Sequence, residues 1–227
     1  GYTNAADKIV FSGSLPHDSY QPTVIIPLLT EALRRNGYEA EFVKLPAKRS
    51  LALSNSGMTD GEIHRVSNFH EVSGNQYPNL IRIESKMLSV FLSTFSLKGL
   101  KASNKLTGLN IGYKLGEENT KNLLTKRYPE SYLHTTASNE MSFRMLINGR
   151  IDIAISESEA GKKLINNDAK YKDVIELSHI QKLDIYSYIH RKHSHLAEDI
   201  AATLELMKQD GTFSQIKEKF LAEYYSK

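Results

Sequence analysis

The chain has 227 residues, 40% hydrophobic and 24% charged, a globular composition long enough to bury a core without covalent staples. Lys and Arg number 29 against 26 Asp and Glu, a net charge of +3; the longest basic cluster, His190-Arg191-Lys192-His193, is short, so no nucleic-acid surface is expected. The absence of cysteine excludes a disulfide framework, cysteine zinc sites and cysteine nucleophiles.

The polar lead Gly1 to Asp7 reads as the start of a mature chain from which a signal peptide has been removed. Ile9-Val10-Phe11 followed by Ser12-Gly13-Ser14 reads as a strand and a loop. Val24, Leu28, Ala32 and Ile25, Leu29, Leu33 recur at spacing four, a helix stripe, with Gly37 as its terminator. Pro22 suits the helix start; Pro27 predicts either a kink or a later start. Ala40 and Phe42 alternate with Glu39 and Glu41, a second strand that completes a first βαβ unit. Lys48 to Asn55 reads as a short helix closed by Gly57, and Leu80 to Ile83 and Leu88 to Leu92 as strands.

After the polar stretch Asn104 to Thr107, a second set begins with a strand over Leu109 to Tyr113 and a loop at Gly116. A helix over about 118–126, a strand over 132–135, a helix over 139–147, a strand over 151–155 and a helix over 159–166 follow, with a further strand at 185–189. Leu196, Ile200, Leu204 and Met207 mark a helix with Ser194 as its N-cap, and Phe213, Ile216, Phe220, Leu221 and Tyr224 mark another after the Asp210-Gly211 turn. Strands alternating with helices predict an α/β protein with parallel sheets covered on both faces. Ligands of such folds sit beyond the carboxyl ends of the strands.

No G-x-S-x-G, H-E-x-x-H, Walker loop or G-x-G-x-x-G occurs. His190, His193 and His195 form H-x-x-H-x-H near a strand end, but without a second carboxylate-rich cluster a loop with cap contacts is favoured over a metal site; no metal or cofactor is expected. The loop Tyr113 to Thr120 joins a strand to a helix. Gly116 permits close backbone approach by an anionic group, while Glu117 and Glu118 would repel one, so ligand site and plain turn weigh equally. In the first loop Ser14, Asp18 and Tyr20 offer polar groups and an aromatic face; Tyr20 is read equally as a ligand platform or as a tyrosine packed on the surface.

Three stretches together resemble the type II periplasmic solute-binding proteins, receptors of ABC importers related to the amino-acid binders. The first is Pro46-Ala47-Lys48-Arg49-Ser50-Leu51 followed by Gly57-Met58-Thr59-Asp60-Gly61 and Arg65, like the family's P-x-x-R-x-L helix start and G-x-x-D-G turn. The second is Gly149-Arg150-Ile151-Asp152, a G-R-x-D leading into a strand. The third runs from Tyr186 through Leu196 to Met207 and Gly211. The resemblance covers nearly the whole chain.

It implies a two-lobed α/β fold of the periplasmic-binding-protein type II class, each lobe a mainly parallel sheet flanked by helices. Lobe one would be residues 1–88 plus 189–227 and lobe two 89–188, closing on the ligand about two crossover strands. By the same resemblance Arg65 would grip a ligand carboxylate and Glu157 would supply the opposing acid, with Arg49 and Asp60 at the site. A salt bridge of Arg65 with Glu62 or Asp60 is the competing reading, as is a helix-start charge for Glu157. Arg65 follows Asp60 by only five residues, and Val66 to Gly74 lacks the threonine pattern of the amino-acid binders, so a ligand other than an α-amino acid is expected.

The function implied is extracytoplasmic binding of a small polar, carboxylate-bearing solute by a periplasmic monomer, without catalysis, for delivery to an ABC permease in the membrane. A sensor input domain, which would continue beyond Lys227 into a signalling receptor, and a dehydratase-like enzyme on the same scaffold are the alternatives.

Overall fold

The structure, a computed structural model, describes residues 6–100, 107–115 and 118–227. Most of the predicted polar stretch Asn104 to Thr107 lies outside the described residues. The chain divides into two compact units, Gly1–Ser89 with Asp184–Lys227, and Val90–Leu183.

Unit one opens with β1 (Asp7–Gly13), α1 (Tyr20–Arg35), β2 (Tyr38–Lys44), α2 (Ala47–Ser56), β3 (Gly61–Val66), the single turn α3 (Phe69–Val72) and β4 (Leu80–Arg82). The chain leaves along β5 (Leu88–Leu97) and returns along β9 (Val174–His190), then ends in α7 (Ser194–Asp210) and α8 (Thr212–Ser226). β1 pairs in parallel with both β2 and β3, in register at Phe11↔Phe42 and Ser12↔Glu62. β9 runs antiparallel to β3 and to β4.

The predicted stripe of α1 is its buried face: Val24, Ile25, Leu28, Leu29, Ala32 and Leu33 are all fully buried. α1 packs on β2, β3, α7 and α8, while α2 packs on β1 and β3. Pro27 lies inside α1 and does not end it. The burial of three turns, at about 1.5–3 kcal/mol per large side chain, outweighs the lost hydrogen bond. Gly57 closes α2 with φ 84°, the left-handed conformation its missing Cβ permits. α7 begins at Ser194 with His193 in the cap position, one residue before the predicted cap.

Unit two holds the rest of β5 and β9 with β6 (Asn110–Lys114), α4 (Glu118–Arg127), β7 (Tyr132–Thr136), α5 (Asn139–Ile147), β8 (Ile153–Glu157) and α6 (Ser158–Asn167). Strand order is β9-β5-β8-β6-β7. β6 pairs in parallel with β7 and β8, and β5 runs antiparallel to β8. Alternate residues of β8 enter different clusters. Ile153 and Ile155 pack with Ile111, Tyr113 and Leu124, whereas Ala154 packs with Phe95, Phe143 and Leu146. A sheet apolar on both faces needs cover on both, as a mainly parallel sheet has.

Two strands exceed their sequence patterns. β5 continues past Leu92 to Leu97, with Ser93, Thr94 and Ser96 fully buried. β9 begins at Val174, although Glu176, Ser178, His179, Gln181 and Lys182 interrupt its apolar pattern. The α/β class and the helix-flanked, mainly parallel sheets expected from the sequence are what each unit has.

Candidate functional site

Strand direction sorts the candidate residues. In unit one the parallel strands β1, β2 and β3 end at Gly13, Lys44 and Val66, so the segments after them share one edge. Ser14, Asp18, Tyr20, Arg49 and Arg65 all belong to that carboxyl edge, where open α/β sheets bind ligands.

Ser14 is half-buried and lines a depression of about 170 Å³ with Lys44, Leu45 and Pro46. Asp18 is exposed in the turn closed by the Ser19 N–H on the Pro16 carbonyl, and Arg49 is exposed in the first turn of α2. Tyr20 opens α1 and meets Tyr224 of α8 edge-on, ring centroids 5.7 Å apart, which is the packed arrangement.

Arg65 has the most developed surroundings. Its side chain is 19% exposed, and Nε and Nη2 donate at 3.4 and 3.3 Å to Oε2 of the fully buried Glu62. Its guanidinium carbon lies 5.7 Å over the Phe69 ring, on which Tyr77 stacks and which Tyr188 meets edge-on. Among the described residues Nη1 has no hydrogen-bond partner, so one edge of the fork is engaged and the other is open.

Glu62 is the hub behind it. Its Oε1 accepts from Ser50 at 2.9 Å and from Ser54 at 3.0 Å, and the Ser50 hydroxyl also bonds to Ser12 at 2.8 Å. Burial pushes the Glu62 carboxyl above its ordinary range, and the charge of Arg65 and the serine donors oppose that rise without cancelling it. Ser50 and Ser54 are four apart on α2, and therefore share the face turned to β3.

Asp60 stands elsewhere. It precedes β3 and so lies at the amino end of that strand. There Oδ2 accepts the Val10 N–H at 2.8 Å, and Oδ1 faces His193 Nε2 at 2.8 Å and Lys192 Nζ at 3.5 Å. Burial works against its charge, but the Val10 N–H, His193 and Lys192 outweigh it and hold the carboxyl below the usual range. Asp60 thus ties β1 to the turn after β9, whose His190 accepts the Lys192 N–H on Nδ1. Among the described residues no group of three or more His, Asp or Glu side chains is arranged to hold a metal ion.

In unit two the parallel strands β6, β7 and β8 end at Lys114, Thr136 and Glu157. Glu157 is half-buried at the end of β8 and occupies the cap position of α6. Gly116 and Glu117 lie outside the described residues. The same edge carries Ser138, whose hydroxyl accepts the Met141 N–H and caps α5, and Thr136, bonded to Ser142 at 2.7 Å.

Glu62, Ser50, Ser54, Ser12 and Phe69 were not among the residues singled out from the sequence as ligand contacts. The signals they leave are the i, i+4 serine pair and an acidic residue three before Arg65.

No protein-family model matches the chain. An uncharacterized protein of Shewanella oneidensis is 30% identical over 204 residues, covering 87% of this chain and 75% of the relative. Among solved structures, an amino-acid ABC transporter substrate-binding protein of Streptococcus pneumoniae bound to L-arginine superposes with TM-score 0.71 at 18% identity, over 97% of each chain. A histidine kinase sensor domain similar to periplasmic binding proteins gives TM-score 0.72 at 15% identity, over 94% of this chain and 96% of that one. At these identities the likeness is one of fold, and that fold is the one the sequence motifs resemble.

Proposed function

The chain belongs to the family of the Shewanella oneidensis protein and has the fold of the type II periplasmic binding proteins, and from that premise we propose that it binds a small polar, carboxylate-bearing organic solute without transforming it. The observation that carries this reading is Arg65. A planar, permanently charged fork, partly exposed at the carboxyl edge of a parallel sheet and open along one side, matches the geometry of a carboxylate. Ser14 and Arg49 on the same edge of unit one add polar contacts.

The reading places the protein outside the cytoplasm, as the receptor of an ABC-type permease. In support, the Streptococcus structure is an ABC transporter substrate-binding protein. The likeness to the histidine kinase sensor domain favours solute sensing as the second reading. Loss of labelled-solute uptake in a strain lacking the gene supports import; loss of a transcriptional response with uptake intact supports sensing.

Native mass spectrometry of the purified protein, followed by a thermal-shift panel of carboxylates and their amides, tests binding itself. A ligand at 100 times its Kd stabilises the folded state by about 2.7 kcal/mol, so a carboxylate that raises Tm while its amide does not is the expected result. Equal shifts from acid and amide would contradict a carboxylate site.

A further inference from the structure

A buried carboxylate is costly, and Glu62 is fully buried at the point where the proposed solute carboxylate would arrive. Its only charged contact among the described residues is Arg65. The pair sums to zero charge, so a second carboxylate on the open side of the guanidinium would leave two negative groups flanking one positive group. Two carboxylates in such proximity do not both stay ionised readily.

We propose that Glu62 couples solute binding to protonation: a carboxylate taken by Arg65 draws the guanidinium from Glu62, and Glu62 takes a proton from solvent at Oε2. This rests on the reading of Arg65 given above. The hydrogen-bond network suits the exchange. Arg65 engages Oε2 alone, while Ser50 and Ser54 donate to Oε1, so the side chain keeps its orientation when Oε2 changes partner.

Besides Arg65, β3 presents the titratable His64, buried beside Gly13 two residues on from Glu62; the other groups of the Glu62 hydrogen-bond network are neutral hydroxyls. From α2 they are Ser50 and Ser54, with Lys48 and Arg49 exposed on the first turn; from β1 it is Ser12. From β9, Tyr188 lies opposite in register, its hydroxyl bonded to the Val66 and Ser67 carbonyls and its pKa pushed up to about 12, chiefly by burial. Burial, which already raises the Glu62 carboxyl, favours the protonated form in the same direction.

The full chain, labelled for NMR, gives the test. The Glu62 carboxyl resonance is titrated in sodium formate, a minimal carboxylate, and in sodium chloride at equal ionic strength, while the Arg65 Nε–Hε resonance reports contact with the anion. Formate is expected to raise the Glu62 midpoint by roughly half a pH unit in the wild type and not at all in Arg65→Ala. Formate that shifts the Arg65 resonance and leaves the Glu62 midpoint unmoved overturns the coupling and leaves the carboxylate site standing. Formate that moves neither overturns the Arg65 reading itself. In Glu62→Gln the Arg65 response to formate should lose its pH dependence, which a purely structural Glu62 would not alter; should that variant fail to fold, the wild-type titration decides alone.

Discussion

Replacing Glu62 by alanine should weaken unit one by about 3 kcal/mol at neutral pH. The sum follows from the contacts. The Ser50 and Ser54 hydroxyls each lose a buried acceptor, but Ser50 keeps Ser12 and Ser54 keeps the Leu51 carbonyl at 3.3 Å, so each costs the lower end of the range, about 1 kcal/mol. Lost side-chain packing adds about 1 kcal/mol. Arg65, 19% exposed, can turn to water and adds little. Glu62→Gln keeps an acceptor at Oε1 and removes a buried charge, so its cost should stay within about 1 kcal/mol. The two units need not open together, so the assay is native-state amide hydrogen exchange of α2 and β3. Equal protection in the alanine and glutamine variants would refute the assignment of Glu62 as the acceptor of both serines.

Asp60→Asn should cost about 1–2 kcal/mol at pH 7 by weakening charge-assisted bonds, and should leave solute affinity unchanged because Asp60 lies at the amino end of β3. Its folded pKa is lowered from the ordinary 3.8, so its stabilisation is present above that value and lost as pH falls through the folded one; urea titrations in acid should show a flatter pH dependence in the variant. Glu62 has the opposite sign. Its raised folded pKa makes unit one lose stability as pH rises through it, a slope that Glu62→Gln should remove in the same hydrogen-exchange measurement. Gly61→Ala should cost about 3 kcal/mol or more by chemical denaturation, since a Cβ there would stand 2.2 Å from the Tyr188 carbonyl oxygen.

Local periodicity made the helices legible. The α1 stripe is its buried face, and the predicted 139–147 helix is α5. Legibility failed where tertiary surroundings set the outcome. The polar residues of β9 between Glu176 and Lys182 hide a strand of 17 residues, because pairing with β5 holds it where its own pattern does not.

A pair between Arg65 and Glu62 is legible in the sequence, but as a surface contact. Alternation along Gly61 to His64 suggests that Glu62 faces water, yet α2 covers that face and all four residues are buried. Asp60 illustrates a different point. A residue that precedes a strand cannot share an edge with those that follow its parallel neighbours, and direction, unlike residue type, assigns it to the other end.

Calorimetric titration of the wild type, Arg65→Ala and Arg65→Lys with the carboxylate found by mass spectrometry tests the central claim most directly. Losing the fork should weaken binding by about 2–5 kcal/mol in the alanine variant, with partial recovery in the lysine variant, which keeps the charge but not the fork. Affinity unchanged in both would contradict the claim.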